Sequence, residues 1–310
     1  MKIVLLDKST LGQDIDLTPI EKLGELVSYE LVQGDENIIE AIGNANIIIT
    51  NKVIITKNIM EKTNIKLICI SATGMNNVDL PAAKELGIEV MNVADYSTSS
   101  VAQVTLSYVF KFIQHLDYYD NYTKEGKWIN SKVFTNLDAP FNELNGKNWG
   151  IIGLGNIGNK VAQIATVFGC NVSYYSTSGK NNNKEYEQKD LNTLLSQSDI
   201  ISIHCALNES TKNLLNNTNL NLMKDKVILI NVGRGGIINE QDLVEVFNNS
   251  KCKVALDTIE IEPMHDKSAL IPILGNKRFI CTPHIAWSSI EARALLIEKI
   301  VMNIKSFNNS

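Results

Sequence analysis

Short runs of apolar residues alternate with segments of helical periodicity along the first part of the chain. The apolar runs are KIVLLD, NIIIT, LICISA and IEVMNV, and the segments PIEKLGELV and LPAAKELG between them have the spacing of amphipathic helices. Strands that alternate with helices are typical of a parallel sheet with helices on its faces. We therefore predict a first α/β domain with a doubly wound parallel sheet.

The pattern changes near residue 99 and then returns to alternation. The run SSVAQVTLSYVFKFIQHLDYYDNYTKEG predicts one long helix, with Ser99 or Ser100 as its N-cap. An irregular segment from Asn136 to Asn145 follows this helix. A second series of strand-like runs then comprises KNWGIIG, NVSYY, DIISIH, KVILINV, KVALD and FICTPH. These runs predict a second doubly wound α/β domain.

The last helical run, SSIEARALLIEKIVMNIKSF, decides where we expect the domain boundaries. A chain that leaves the second domain through this helix can pack back on the first domain, which is then discontinuous. We expect a first domain of residues 1–98 plus 287–310, a second domain of residues 99–286, and a cleft between them. We interpret the asparagine-rich tract KNNNK at residues 180–184 as a solvated loop.

Composition and charge exclude several classes of protein. A chain of 310 residues with 44% hydrophobic content is long enough for two domains with substantial cores, and its formal net charge of -5 disfavours nucleic-acid binding. No apolar run reaches the roughly 18 residues of a membrane span, and MKIVLLDKST does not resemble a signal peptide. The five cysteines form no CxxC pair and no metal-ligand spacing with histidine. We therefore expect reduced thiols, no bound metal, no membrane partner and a cytoplasmic location.

The sequence GLGNIG lies between the strand-like run NWGII and a helical run. Its first glycine, Gly153, permits a tight turn, Gly155 lets the backbone approach a pyrophosphate, and Gly158 allows close packing of helix on strand. The backbone amides of Asn156 and Ile157 at the helix N-terminus then face the diphosphate. This motif, in this context, predicts a Rossmann domain that binds NAD or NADP.

The choice between the two cofactors is open. A carboxylate at the end of the next strand commonly binds the ribose hydroxyl of NAD, but Ser176 stands at that position in YYSTSGK. Thr177, Ser178 and Lys180 follow it, and hydroxyls with one ammonium can accept a 2'-phosphate. NADP is therefore tolerated or preferred on one interpretation. On the other interpretation the loop is only solvated and NAD binds through other contacts.

Three ionisable residues follow successive strand-like runs of the second domain: Arg234 in VILINVGRGG, Glu262 in KVALDTIEIEP and His284 in FICTPHIAWSS. Ligands of open α/β sheets bind beyond these carboxyl ends, so the three side chains should converge. A guanidinium can bind a carboxylate, a histidine can exchange a proton, and a glutamate beside it favours the charged imidazole. This set predicts a site for an anionic keto or hydroxy acid.

Each of these residues also has a simpler explanation. Arg234 can be an ordinary ion-pair residue, although the glycines of GRGG let substrate and cofactor approach the backbone; Glu262 can cap a loop; and His284 can be a core histidine. The three residues taken together favour catalysis. His115 and His204 are interpreted as structural, and His265, near Glu262 in sequence, is given no role.

At this point nearly the whole chain resembles the D-isomer-specific 2-hydroxyacid dehydrogenases. The matching stretches are SATGMNNVDLPAAKELGIEVMNV, YSTSSVAQ, GKWINSKVF, ELNGKNWGIIGLGNIG, INVGRGGIINEQDL, ALDTIEIEP and TPHIAWSS. Within that family, ATGMNNVD, YSTSSVAQ and HIAWSS are most similar to the glycerate dehydrogenases, also called hydroxypyruvate reductases. The resemblance implies a flavodoxin-like substrate domain, a Rossmann NAD(P)-binding domain and a homodimer.

The resemblance also implies roles for single residues. Arg234 holds the substrate carboxylate and polarises its carbonyl, His284 is the acid/base, and Glu262 is the partner of His284. The amides of Thr73 and Gly74 bind the substrate carboxylate. Asp257 accepts a hydrogen bond from the nicotinamide carboxamide, and the matching cofactor-lining residues are Cys205, Val232, Gly233 and Asp257. The chain departs from the family pattern at Ser176 and at Thr258, where the family often has valine.

The function implied by the resemblance is reduction of hydroxypyruvate, glyoxylate or a similar 2-keto acid to the D-2-hydroxy acid. D-lactate and other D-2-hydroxyacid dehydrogenases are alternatives, and a corepressor that senses NAD(H) is an alternative of another class. Trp128 and Phe134 can reach a partner subunit or serve only in packing.

Overall fold

Residues 1–309 are described by a computed structural model, and their contacts divide them into two units. The first unit comprises Met1–Ser97 together with the chain from Ser288 onward, and the second comprises Thr98–Trp287. No helix within residues 1–309 combines the length and the apolar character that crossing a bilayer requires.

The first unit contains a five-stranded parallel sheet. Its strands are β1 (Lys2–Leu5), β2 (Glu25–Ser28), β3 (Ile47–Thr50), β4 (Leu67–Ile70) and β5 (Glu89–Met91), in the order β2-β1-β3-β4-β5. The helices between them are α1 (Thr18–Glu21), α2 (Asp35–Ile42), α3 (Lys57–Glu61) and α4 (Leu80–Glu85). Every residue of β3 and β4 is buried. The sheet is covered on both faces at these strands, which explains why their residues are apolar in succession and do not alternate with polar ones. The strand order is flavodoxin-like, which confirms the predicted class of this domain.

One predicted helix of the first unit is partly wrong. In the segment PIEKLGELV the helix α1 ends at Glu21, and ELVS forms the edge strand β2, which pairs with β1 from Lys2 to Leu5. The two strands meet closely at Gly24, where a Cβ would lie 2.3 Å from the Met1 carbonyl oxygen. Periodicity cannot separate helix from strand in a segment this short.

The second unit contains a seven-stranded parallel sheet in the order β12-β11-β10-β9-β6-β7-β8. Its strands are β6 (Asn148–Ile152), β7 (Asn171–Tyr175), β8 (Glu187–Gln188), β9 (Ile200–Ile203), β10 (Ile228–Asn231), β11 (Lys253–Leu256) and β12 (Phe279–Cys281). The strand order reverses between β6 and β9, and ligands of this fold bind at the carboxyl ends beside such a reversal. The predicted Rossmann fold is confirmed.

Six helices in the described part of the second unit accompany this sheet. They are α5 (Thr98–Ile113), α6 (Leu116–Lys124), α7 (Asn156–Val167), α8 (Leu191–Gln197), α9 (Asn217–Leu220) and α10 (Glu240–Asn249). A last helix, α11 (Ile290–Asn308), belongs to the first unit. Its N-cap is Ser289, and Arg293 in its first turns donates two hydrogen bonds to the Asp14 carboxylate.

The prediction of one long helix from residue 99 to residue 126 is wrong. The chain forms α5 and α6, and His115 between them has a left-handed φ of 54°. Helix α5 buries a broad face in the core, whereas α6 buries no residue, so the two segments have different surroundings. The N-cap prediction is wrong as well, because α5 begins at Thr98 and the Ser100 hydroxyl donates instead to the Ala286 carbonyl at 2.6 Å.

Candidate active site of the second unit

The glycine-rich turn joins β6 to α7. Gly153 has a φ of 91°, and a Cβ at this position would lie 2.7 Å from the Cβ of Cys205. A Cβ at Gly158 would lie 2.3 Å from the Gly153 carbonyl oxygen, so helix and turn are in direct contact. A Cβ at Gly155 would meet nothing within 4 Å. The turn therefore leaves open space where α7 begins at Asn156 and Ile157, and a diphosphate fits such a helix N-terminus.

The loop after β7 is ordered around this turn. Ser176 is 7% exposed, and its hydroxyl accepts a hydrogen bond from the Asn181 amide at 3.4 Å. The Asn181 side chain donates to the Leu154 carbonyl of the glycine-rich turn at 2.6 Å. The buried Tyr174 hydroxyl approaches the Asn181 and Asn183 carbonyls at 3.4 Å each. The interpretation of residues 180–184 as merely solvated is therefore wrong for Asn181 and Asn183, because both are half-buried and hold the loop to the turn.

The residues expected beside the cofactor at the ends of β9 and β10 are buried. Cys205 and Val232 are each 7% exposed, and burial raises the pKa of the Cys205 thiol to about 11, which keeps it neutral. Gly233 lies against the end of β9, since a Cβ there would be 2.9 Å from the Cys205 carbonyl oxygen. Its amide donates to the Asn231 side chain at 3.0 Å.

Arg234, Glu262 and His284 follow three neighbouring parallel strands, β10, β11 and β12. The carboxyl ends of parallel neighbours meet at one edge of the sheet. His284 Nδ1 lies 2.8 Å from Glu262 Oε2, and the other carboxylate oxygen, Oε1, accepts from the Ile259 amide at 3.2 Å. The two side chains are 24% and 29% exposed, so the pair is neither buried nor fully solvated. Because Nδ1 faces the glutamate, Nε2 is the ring nitrogen that can exchange a proton with a ligand.

The buried Asp257 carboxylate fixes the loop that carries His284. Its Oδ1 accepts from the Ile285 amide and its Oδ2 from the Ala286 amide, both at 2.8 Å, and Thr282 donates to Oδ1 at 2.7 Å. The Asp257 carbonyl accepts from the His284 amide at 3.0 Å. This anchorage holds His284 at a φ of 52°, a value that is uncommon for residues with a Cβ.

Arg234 lies on the loop after β10 and is half-buried. Its Nη1 donates to the Gly233 carbonyl at 2.8 Å, which uses one of the five guanidinium N–H groups. A Cβ at Gly235 would lie 1.8 Å from the Ile259 carbonyl oxygen. The glycines around Arg234 are therefore needed for contact with the chain's own neighbouring loops, Gly233 with the end of β9 and Gly235 with the loop of Glu262. The approach of substrate and cofactor to this backbone stays a prediction.

The model of the D-isomer specific 2-hydroxyacid dehydrogenase NAD binding domain matches residues 106–286, more than half of the chain. The chain belongs to this family. A hydroxypyruvate reductase of Blautia hydrogenotrophica is 39% identical over 99% of this chain and 97% of the relative. A glycerate dehydrogenase of Methylorubrum extorquens is 33% identical over 99% and 96%, respectively. The predicted family and the predicted class of enzyme, an oxidoreductase acting on CH–OH groups, are confirmed.

Solved structures share the fold of this chain. An acyclic imino acid reductase in complex with NADPH and D-Arg has a TM-score of 0.86 and 29% identity, covering 100% of this chain and 97% of that protein. A D-lactate dehydrogenase of Aquifex aeolicus, complexed with NAD and lactic acid, has a TM-score of 0.83 and 24% identity, covering 100% and 96%. The second likeness supports the fold alone.

Three other residues named from the sequence are Thr73, Gly74 and His204. Thr73 and Gly74 lie in the first unit, in the loop after β4, where the Thr73 hydroxyl donates to the Val93 carbonyl at 3.0 Å. Burial lowers the pKa of His204 to about 3, so its imidazole is neutral, and its Nε2 lies 2.9 Å from the Ser202 hydroxyl.

Sequence reasoning missed two residues that hold site loops in place. Asn181 gave no signal except the composition of an asparagine-rich tract. Glu240 gave no signal of its own in the sequence, yet it lies in the first turn of α10 and its Oε1 accepts from the Glu260 amide at 2.6 Å. Partners far apart in sequence cannot be identified from local pattern.

Proposed function

We propose that the chain reduces a small 2-keto acid of the hydroxypyruvate or glyoxylate type to the D-2-hydroxy acid. The observation that carries this proposal is the 2.8 Å contact between His284 and Glu262, which follow β12 and β11, while Arg234 follows the next strand, β10. An imidazole, a carboxylate and a guanidinium at one sheet edge can bind an anion and move a proton. Relatives over nearly the full length that are named hydroxypyruvate reductase and glycerate dehydrogenase support the substrate class.

Each of the three side chains has a separate task in this proposal. The nicotinamide cofactor, when bound, supplies the hydride. Arg234 binds the substrate carboxylate through paired N–H groups, and its positive charge favours the negative charge that develops on the carbonyl oxygen. His284, protonated at both ring nitrogens, gives the proton on Nε2 to that oxygen, while Glu262 stabilises the imidazolium through Nδ1. In the oxidation direction neutral Nε2 accepts the hydroxyl proton.

We propose that the backbone amides of Thr73 and Gly74 also bind the substrate carboxylate. Within the first unit, Asn92 donates from Nδ2 to the Thr73 carbonyl at 2.6 Å, and the Thr73 hydroxyl bonds to the Val93 carbonyl. These bonds hold the loop after β4 in one conformation, which preorganises its amides for an anion.

We propose that NADPH is accepted as well as NADH. The loop that follows β7 has a buried serine, Ser176, where a carboxylate would repel a 2'-phosphate. Beside it lie the more accessible hydroxyls of Thr177 and Ser178 and the ammonium of Lys180. Michaelis constants for the two cofactors test this directly. A preference for NADH of more than tenfold would contradict it.

We propose that two copies associate through α6 and the segment that follows it. Seven apolar side chains there are between 52% and 88% exposed, namely Leu116, Trp128, Ile129, Val133, Phe134, Leu137 and Phe141. A cluster of this kind favours a protein interface. Sedimentation of the double variant Ile129→Asp and Phe134→Asp should give a monomer, while Met302→Asp, an exposed apolar position on α11, should sediment like the wild type. A wild-type monomer would contradict the dimer.

We propose a cytoplasmic location. Among residues 1–309 all five cysteines are free thiols, and four of them are buried, which suits a reducing compartment. Fractionation of the source cells with an antibody to the chain tests this assignment.

The experiment that tests the activity is a steady-state panel of hydroxypyruvate, glyoxylate, pyruvate and longer 2-keto acids with NADH and NADPH. We expect the highest kcat/KM for hydroxypyruvate or glyoxylate, and D-glycerate as the product from hydroxypyruvate by chiral chromatography. Cofactor binding should be measured beside it by fluorescence. Tight NADH binding with negligible turnover of every keto acid would contradict the enzyme and favour a sensor.

A further inference from the structure

The loop that carries Glu262 needs an external support, because the chain from Asp257 to Ala269 contains no helix or strand. The Ile259 amide donates to Glu262 Oε1 at 3.2 Å, so the turn from Ile259 to Glu262 determines where that carboxylate lies. A charge on a loop is placed accurately only if the loop is held by a more rigid element.

Glu240 is attached to such an element. It is the first residue of α10, whose N-cap Asn239 accepts from the Asp242 amide at 3.0 Å. Helix α10 buries Leu243, Val244, Val246 and Phe247, so its first turn is anchored in the core. From this position Glu240 Oε1 accepts the Glu260 amide at 2.6 Å.

A second contact acts on the same turn. The chain around Gly235 lies against the Ile259 carbonyl, because a Cβ there would approach its oxygen to 1.8 Å. The turn therefore has a backbone neighbour at Ile259 and a side-chain acceptor at Glu260. Burial raises the pKa of Glu240, as do the charges of Glu260 and Glu262, while the hydrogen bond from the Glu260 amide and the nearby His265 lower it.

We propose that Glu240 is a positioning residue for the proton-transfer pair. By holding the Glu260 amide it fixes the turn so that Glu262 Oε1 stays on the Ile259 amide and Oε2 faces His284 Nδ1. Glu240 touches neither substrate nor cofactor in this role. The inference rests on the proposed function, in which Glu262 and His284 act together.

The test compares three substitutions of Glu240 in the full chain. Glu240→Gln keeps an oxygen acceptor and should stay within about twofold of the wild type. Glu240→Ala removes the acceptor, and we expect kcat for keto-acid reduction to fall about tenfold, which is the scale of one lost hydrogen bond to a charged group. Glu240→Leu keeps the bulk without an acceptor and serves if the alanine variant folds poorly. The matched control is Glu245→Ala, an exposed glutamate on the same helix, which should behave like the wild type.

Two further readouts separate positioning from a general structural role. The fall of reduction with rising pH should move to lower pH in Glu240→Ala, because a displaced Glu262 stabilises the imidazolium less, while the Kd for NADH and the Tm stay close to wild type. In the double variant Glu240→Ala, Glu262→Gln, kcat should fall no further than it does in Glu262→Gln alone.

The inference is overturned if Glu240→Ala and Glu240→Leu keep the wild-type kcat and pH profile. It is also overturned if the loss in the double variant is the product of the two single losses. The single variant Glu262→Gln tests the proposed function itself. A fully active Glu262→Gln contradicts the proposed function, whereas a strongly impaired Glu262→Gln beside an unimpaired Glu240→Ala contradicts only the inference about Glu240.

Discussion

The imidazole of His284 is bonded through Nδ1 to Glu262 at 2.8 Å, across a gap of 22 residues in sequence. This contact assigns the two ring nitrogens different tasks, because Nδ1 is occupied by the carboxylate and Nε2 remains for proton exchange. Both side chains stand on loops after neighbouring strands, and each loop has its own anchor: Asp257 for His284 and Glu240 for Glu262.

The pH dependence of the two reaction directions follows from this contact. Reduction consumes the proton on His284 Nε2 and oxidation needs that nitrogen unprotonated, so kcat/KM for reduction should fall and kcat/KM for oxidation should rise as the pH is raised. Glu262→Gln should move both changes to lower pH, because a neutral partner favours the imidazolium less than a carboxylate does. The profiles should be measured with deuterated cofactor, so that hydride transfer is known to limit the rate. A flat reduction profile up to pH 10 would exclude His284 as the acid.

Substitution of Arg234 should weaken substrate binding far more than cofactor binding. Arg234→Lys keeps the charge but loses the planar pair of donors, and we expect kcat/KM for the keto acid to fall about 100-fold. The Kd for NADH should change less than twofold. Arg278→Lys is a matched control in the same unit, since Arg278 donates to the Phe247, Ser250 and Cys252 carbonyls away from the three strand ends. Equal losses of substrate and cofactor affinity in Arg234→Lys would contradict its assignment to the carboxylate.

Thr258 should be replaceable by valine with a gain in stability. The residue is 2% exposed, and its hydroxyl is a buried group without a hydrogen-bond partner among residues 1–309. An unpaired buried hydroxyl costs about 1 kcal/mol or more, and valine has nearly the same shape. Thr258→Val should therefore raise the free energy of unfolding by about 1 kcal/mol, measured by urea denaturation at neutral pH. Thr282→Val should lower the free energy of unfolding, because the Thr282 hydroxyl donates to the Asp257 carboxylate. A less stable Thr258→Val would mean that the hydroxyl has a partner in solution.

The sheets and the pairing of His284 with Glu262 could be predicted because their signals are local or repeat along the chain. Short apolar runs such as IIIT and LICI predict buried strands, and the glycine spacing in GLGNIG predicts a tight turn before a helix. Arg234, Glu262 and His284 follow the ends of β10, β11 and β12, and parallel topology brings those ends to one edge of the sheet.

What could not be predicted depends on partners distant in sequence. The break at His115 separates α5, which packs in the core, from α6, which buries no residue. The helical pattern of the sequence continues through this point and does not indicate the break. Strand β2 was predicted as helix because four residues fit both periods. The acceptors for the Glu260 amide and the Asn181 side chain lie 20 and 27 residues away, on elements whose approach only the fold determines.

Asn181 should control cofactor affinity without affecting chemistry. Its side chain joins the loop after β7 to the Leu154 carbonyl at 2.6 Å, and the loop carries the hydroxyls that we assign to the adenosine ribose. In Asn181→Ala the loop loses this bond, so we expect the KM for both cofactors to rise about fivefold to tenfold, with kcat unchanged at saturation. Isothermal titration with NADPH and NADH should give the same ratio without turnover. Asn182→Ala is the matched control, because Asn182 is an exposed neighbour in the same tract. A fall in kcat with unchanged cofactor affinity would show that the loop acts on the reaction instead of on binding.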